Sequence, residues 1–218
     1  MPAPVLTIDG PSGAGKGTVS RAVARLLKWH YLDSGSIYRS LAIAALQADI
    51  DLHNVSDICN IAKAMQLEFE CGDQFRVKLN GSDISSQLAT ETTGNAASIV
   101  AAFPEIRQVL LQKQKDFQQL PGLVADGRDM GSVVFPDADF KVYLTASSEE
   151  RARRRYKQLI EKGIGANLIQ ITREIEERDL RDSSRSTAPL TVPQGALFLD
   201  SSSLSIQQVI DQVMNLVR

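Results

Sequence analysis

Short apolar runs alternate along the chain with longer stretches in which apolar positions recur every three or four residues. The short runs predict β-strands at 5–8, 31–32, 123–125, 141–144 and 197–199, and the longer stretches predict helices near 15–28, 36–48, 95–118, 148–162, 167–182 and 205–217. Apolar strands separated by helices are the pattern of an α/β fold with a parallel sheet covered on both faces. Pro104 falls inside the 95–118 stretch and should break or restart that helix, since proline lacks an N–H and its ring clashes with the preceding turn. One segment departs from the alternation. Residues 67–71 (LEFEC) and 75–79 (FRVKL) alternate in period two around Gly72-Asp73-Gln74, which predicts a β-hairpin. With the helix ahead of it, the hairpin forms an inserted subdomain over roughly 55–95.

Composition narrows the class only a little. The 218 residues are enough for a proper core, and 43% apolar with 23% charged residues is ordinary for a globular protein. The net charge of −2 conceals 24 basic residues, so an anion site must come from local clustering, and nucleic-acid binding by bulk charge is not expected. Cys59 and Cys71 are too few for a disulfide framework and lack metal-ligand spacing. Residues 1–10 have no basic leader region, and no apolar stretch approaches the about 18 residues of a membrane span. A cytoplasmic protein without a membrane partner is the expectation.

The first strand runs into Gly10-Pro11-Ser12-Gly13-Ala14-Gly15-Lys16-Gly17-Thr18, and a helical pattern follows. A strand, a glycine-rich turn and a helix together form the setting in which successive amides turn inward around a polyphosphate. The helix N-terminus adds roughly half a positive charge, and Lys16 supplies an ammonium that can follow the β- and γ-phosphates. Phosphate loops usually place Ser or Thr directly after the lysine, as a ligand for Mg2+. Here Gly17 stands there and cannot ligate, so Mg2+ would be held mainly by nucleotide phosphates and water.

Other clusters offer a second anion site. The strand at 123–125 leads into Asp126-Gly127-Arg128-Asp129, at the carboxyl end where open α/β sheets bind ligands. Asp126 could orient Mg2+ through water or simply cap the next turn; Arg128 could grip a phosphate in bidentate geometry. Ser34 stands where it could cap the second helix, while Arg39, four residues into that helix, has no such local role. Arg151, Arg154 and Arg155 share a helix face and Arg153 points elsewhere; the run is either a solvated face paired with Glu149 and Glu150 or a source of charge for a transferring group. Lys162-Gly163-Ile164-Gly165 marks a hinge-like boundary after it. Arg178, Asp182 and Arg185 also share a face, either as a surface ion-pair ladder or as a grip on a ribose phosphate. His30 and His53 have no partner pattern for catalysis, and Trp29 and Tyr31 read as packing residues at a strand start.

Taken together, GPSGAGKGT, LDSGSIYR, NAASIVAAFPEIR, DGRDMGSVVFPDADFKVYLTAS, ERARRR and RDLRDSSR resemble the bacterial cytidylate (CMP) kinases, from about Val5 to the end of the chain and in order. The resemblance implies the P-loop nucleoside monophosphate kinase fold, with a central five-stranded parallel sheet flanked by helices. It also implies a β-containing acceptor-binding insert and a short helical lid. One kinase domain would span 1–218, with the acceptor region at 35–95, its hairpin near 67–79, and the lid at 151–170. Gly10 to Thr18 would bind ATP with Mg2+. Ser98, Arg107 and Asp129 would read the cytosine and position the acceptor. Arg39 and Arg128 would hold the CMP phosphate, with Ser34 nearby. Arg178 and Asp182 would contact the ribose, Arg185 would assist at the phosphate, and Arg154 and Arg155 would face ATP. The implied reaction is phosphoryl transfer from ATP to CMP or dCMP by a cytoplasmic monomer. A kinase for UMP, AMP or shikimate is the nearest alternative, and a non-catalytic nucleotide switch the more distant one.

Overall fold

Hydrophobic burial draws the five apolar runs into one sheet, and helices of the same part of the chain pack against it. The computed structural model describes residues 2–71, 75–88, 90–161 and 163–218, without the side chains of 70, 71 and 75. Along the chain come β1 (Val5–Asp9), α1 (Lys16–Leu27), β2 (His30–Asp33), α2 (Ser34–Gln47), α3 (Val55–Ala64), β3 (Leu67–Cys71), β4 (Phe75–Leu79) and β5 (Ser82–Asp83). They are followed by α4 (Ser85–Leu88), α5 (Glu91–Val100), α6 (Pro104–Lys115), β6 (Leu123–Gly127), a π-helical turn at Met130–Val134, β7 (Phe140–Thr145), α7 (Ser148–Glu161), α8 (Leu168–Ser184), β8 (Leu197–Asp200) and α9 (Ile206–Val217). Two compact units result: the residues up to Leu32 with Gln118–Arg218, and Asp33–Phe117.

The first unit is organised by a five-stranded sheet of order β2-β6-β1-β7-β8, parallel at the β1–β6, β1–β7 and β7–β8 pairings. This bears out the expected parallel sheet. β1 lies at its centre with all five residues buried, and Leu6, Ile8, Leu123 and Leu144 are completely so. Each such side chain contributes about 1.5–3 kcal/mol of hydrophobic stabilisation. Trp29 lies against Gly122, where a Cβ would come within 2.4 Å of its ring, and Tyr31 is buried, as their packing role required. α9 opens on a capping box of Ser205 and Gln208. α7 and α8 pack around a small core of their own, with Ala152, Ile171 and Ile175 buried beneath Tyr156, Leu159 and Ala166. The hinge-like segment begins at a residue, Lys162, outside those described; Gly163 within it has a positive φ of 72°.

The second unit holds the predicted hairpin. β3 and β4 pair antiparallel from Leu67↔Leu79 to Cys71↔Phe75, and its turn, Gly72-Asp73-Gln74, lies outside the described residues. Short β5 adds a third antiparallel strand and α4 follows it; neither was foreseen, because two- and four-residue elements carry no period to read. Pro104 does restart a helix: α5 stops at Val100 and α6 begins with the proline at its first turn, where a missing N–H costs nothing. The capping expectation for Ser34 is corrected. Asp33 caps α2 by accepting the Ser36 N–H at 3.1 Å, which places Ser34 inside the first turn, its hydroxyl donating to Gln114 Oε1 at 2.6 Å. A carboxylate one residue earlier is as good a cap as a hydroxyl, so the two positions could not be ranked from sequence. Among the described residues, no helix is long and apolar enough to cross a membrane.

Candidate active site

The glycine-rich segment leaves the central strand at Asp9 and returns as α1. Gly10 has a φ of 147°, and a Cβ there would lie 1.9 Å from the Leu144 carbonyl oxygen, so the chain passes β7 too closely for any side chain. Gly13 and Gly15, with φ of 78° and 92°, complete the curl in a conformation that side chains rarely adopt. Lys16 is buried, and its ammonium donates to the Pro11 carbonyl at 2.9 Å across the loop. Thr18 is exposed at the start of the helix. The local fold is thus the strand, glycine turn and helix that the residue pattern predicts.

Asp126 stands beside this loop, within β6 rather than beyond its end, because the strand continues to Gly127. A Cβ on Gly17 would lie 3.4 Å from Asp126 Oδ2, and the Tyr31 hydroxyl donates to that same oxygen at 3.4 Å. The buried carboxylate beside the loop suits a cation held by phosphates and water, for which Gly17 leaves room. Asp9, overlooked in the sequence, is fully buried and accepts the backbone N–H groups of Met130 and Gly131, each at 2.8 Å. Burial pushes its carboxyl up to about 7, against the two amides and Lys16, while neighbouring Asp129 adds to the rise.

Arg128 and Asp182, from two separate sequence clusters, form an ion pair: Arg128 Nε donates to Asp182 Oδ2 at 2.8 Å, with both side chains largely buried. Burial works to raise the Asp182 carboxyl, but Arg128, with help from Arg185 and Arg178, outweighs it and holds that carboxyl below its usual range. Arg185 Nε donates to the Asp182 carbonyl at 3.2 Å, so Asp182 joins Arg128 and Arg185, and Arg178 lies close enough to contribute charge. Asp129 is buried next to Arg128. On α7, Arg154 donates to Glu150 at 3.0 Å and to the Ser201 carbonyl at 2.6 Å, Arg155 is half-buried beside it, and Arg153 points outward as expected. The sequence missed the structural role of Arg151. Its guanidinium meets Asp179 at 3.1 and 2.5 Å and donates to the carbonyls of Ser12, at 3.0 Å, and Ala146, at 2.9 Å. This joins α7, α8 and the phosphate loop within one unit. Its only sequence signal was an arginine at the buried edge of the α7 stripe.

In the second unit, Arg39 on α2 donates to the carbonyls of Leu88, at 2.6 Å, and Thr90, at 3.2 Å, and lies so close to Gly94 of α5 that a Cβ there would meet its Nη2 at 2.9 Å. Arg107 on α6 donates to the Ala101 carbonyl at 3.2 Å and stacks over the Tyr38 ring of α2, 5.5 Å from its centroid. Ser98 on α5 is buried, and its hydroxyl has no hydrogen-bond partner among the described residues. A buried hydroxyl in that state is costly unless a ligand or an ordered water completes it. Thus the second unit carries Ser34, Arg39, Ser98 and Arg107, and the first carries the phosphate loop, Asp126, Arg128, Asp129, Arg154, Arg155, Arg178, Asp182 and Arg185. No group of three or more acidic, histidine or cysteine side chains suited to a metal occurs among the described residues. His30 hydrogen-bonds the Leu120 carbonyl and His53 pairs with Asp51, neither in a catalytic arrangement, and Cys59 is a half-buried free thiol.

Known proteins resemble this chain along nearly its whole length. A curated cytidylate kinase from Methylococcus capsulatus is 54% identical over 99% of this chain and 97% of its own length. Another from Aeromonas salmonicida is 52% identical over 97% of this chain and 93% of its own. Among solved structures, a gluconokinase from Sinorhizobium meliloti 1021 shares the fold at 13% identity and a TM-score of 0.50, covering 100% of this chain and 93% of that one. With the profile described as cytidylate kinase matching residues 6–218 as well, the chain belongs to the cytidylate kinase family.

Proposed function

We propose that the enzyme transfers the γ-phosphoryl group of ATP to CMP or dCMP, giving ADP and CDP or dCDP. The observation that carries this is the buried Lys16 ammonium in a glycine-fixed loop, in a chain 54% identical along almost its full length to a curated cytidylate kinase. Residues Gly10 to Thr18 hold the ATP phosphates, and Lys16, Arg154 and Arg155 supply positive charge toward the transferring group. Ser98, Arg107 and Asp129 read the cytosine edge, whose amino donor suits a carboxylate and whose acceptors suit hydroxyl and guanidinium donors. Arg39, Arg128 and Arg185 hold the CMP phosphate with Ser34, and Arg178 and Asp182 hold the ribose. The Ser98 hydroxyl, without a partner among the described residues, and the Arg128–Asp182 pair support these roles. Bound with ATP, Mg2+ supplies neutralisation of the phosphate oxygens, and Asp126 is the residue that would hold it through water. The acceptor phosphate needs no strong base, so the protein's work is positioning, with the α7–α8 region excluding water. Residues 1–218 act as one catalytic domain, monomeric and cytoplasmic, with the acceptor region at 35–95 and the lid at 151–170. An ADP-release assay with CMP, dCMP, UMP, AMP or no acceptor tests the proposal. Turnover stimulated most by CMP and dCMP is the expected result. Strong ATP hydrolysis without stimulation by CMP would instead mark a nucleotide switch, and preference for UMP or AMP would move the acceptor assignment.

A further inference from the structure

We infer that Asp9 is a positioning residue for phosphoryl transfer: its buried carboxylate fixes the turn that follows Arg128 and Asp129, and so sets those two side chains against the phosphate loop. The π-helical turn Met130–Val134 closes its own later donors, because the Asp129 carbonyl accepts the N–H groups of Val133 and Val134 and the Met130 carbonyl accepts that of Phe135. Its first two N–H groups have no helical acceptor behind them, as at any helix start. Both go to Asp9: Met130 donates to Oδ1 and Gly131 to Oδ2, each at 2.8 Å.

The turn has little freedom to shift sideways. A Cβ on Gly131 would lie 2.7 Å from Thr7 Oγ1, 3.2 Å from Pro193 Cγ and 3.3 Å from Asp9 Oδ2. A Cβ on Gly127 would lie 2.7 Å from Met130 Cγ. Two glycines therefore let the turn press against β1 and β6, and the two hydrogen bonds keep it there. Asp9 is also the last residue of the central strand, immediately before Gly10. One carboxylate thus links the origin of the phosphate loop to the segment carrying Arg128 and Asp129, where small displacements of reacting groups cost much rate. An apolar residue at this position would leave two buried N–H groups unsatisfied, whereas Asn would set an oxygen opposite one of them and an NH2 donor opposite the other.

The inference rests on the kinase activity proposed above, so its test includes a readout independent of turnover. In the full chain, Asp9→Asn should speed hydrogen exchange at the Met130 and Gly131 amides by about tenfold or more. With the acceptor that the wild type uses, it should also lower kcat by roughly tenfold to a hundredfold while KM for ATP stays within about threefold. If Asp9→Asn fails to fold, Gly131→Ala pushes the same turn away from an intact carboxylate and should show the same signature. Unchanged exchange in a folded variant overturns the inference. Faster exchange with kcat unchanged also overturns it, by reducing Asp9 to a structural role. A wild type inactive on CMP would refute the function proposed above and leave the exchange result standing.

Discussion

The phosphate loop and the Arg128–Asp182 region each gather basic side chains, yet they are built in opposite ways. The loop is backbone: its shape is set by glycines with positive φ, and Lys16 is tied to Pro11 only five residues away. The Arg128 region is side chain: its central bond joins residues 54 apart, and its turn is held by Asp9 from 121 and 122 residues away. A backbone cradle survives the loss of a single side chain, though its chemistry does not. A side-chain grip loses shape and charge together when one partner is removed.

Four experiments press on that contrast, from the largest effect downward. Lys16→Ala should cut kcat by about a hundredfold to a thousandfold in an ADP-release assay, with KM for ATP rising less than about tenfold because the amides remain. Near wild-type turnover would break the donor assignment. Arg128→Ala should strand a buried carboxylate, costing about 3–5 kcal/mol and lowering Tm by roughly 10 °C, with part recovered by adding Asp182→Asn. An unchanged Tm would show that this grip is no more cooperative than a surface pair.

The third experiment uses pH. Asp9 has a carboxyl raised from 3.8 to about 7, so between those values the folded protein keeps a proton that the unfolded chain has lost. Its contribution is therefore fully present below about pH 4 and lost as pH rises through about 7. Relative to Asp9→Asn, the wild type should lose several degrees of Tm over that window and none above it. A flat difference across pH 4–8 would show that the carboxyl stays ionised throughout, held by its two amides. The smallest effect is expected for Ser98→Ala. With no partner to lose among the described residues, Tm should hardly move, while KM for CMP rises by about two- to tenfold. No change in KM would remove Ser98 from the acceptor site.

The same contrast explains what could be read from the chain. The five main strands and the phosphate loop were legible because period, apolar runs and glycines are local signals, with only the ends shifting by a residue or two. Pro104 was legible for the same reason. Arg128 and Asp182 were each visible as candidates, but their pairing was not, since nothing within either cluster names a partner 54 residues away. Asp9 was passed over because its partners are backbone amides, which any sequence would offer. Arg151 was grouped with Arg154 and Arg155 by spacing, and Asp179 on α8 with the Ser12 and Ala146 carbonyls separates its role from theirs. The Ser34 capping expectation failed between two adjacent residues that both suit the position.

Gly10 has a consequence for anyone who would treat the loop as a movable part. It needs the Leu144 carbonyl at a distance only glycine tolerates, the Ser12 carbonyl is occupied by Arg151, and Asp9 just before it is committed to Met130 and Gly131. Grafting residues 10–18 onto another strand would transfer the letters of the motif without its surroundings. A working transplant would have to carry β1, the edge of β7, the start of α7 and the 130–134 turn as one block.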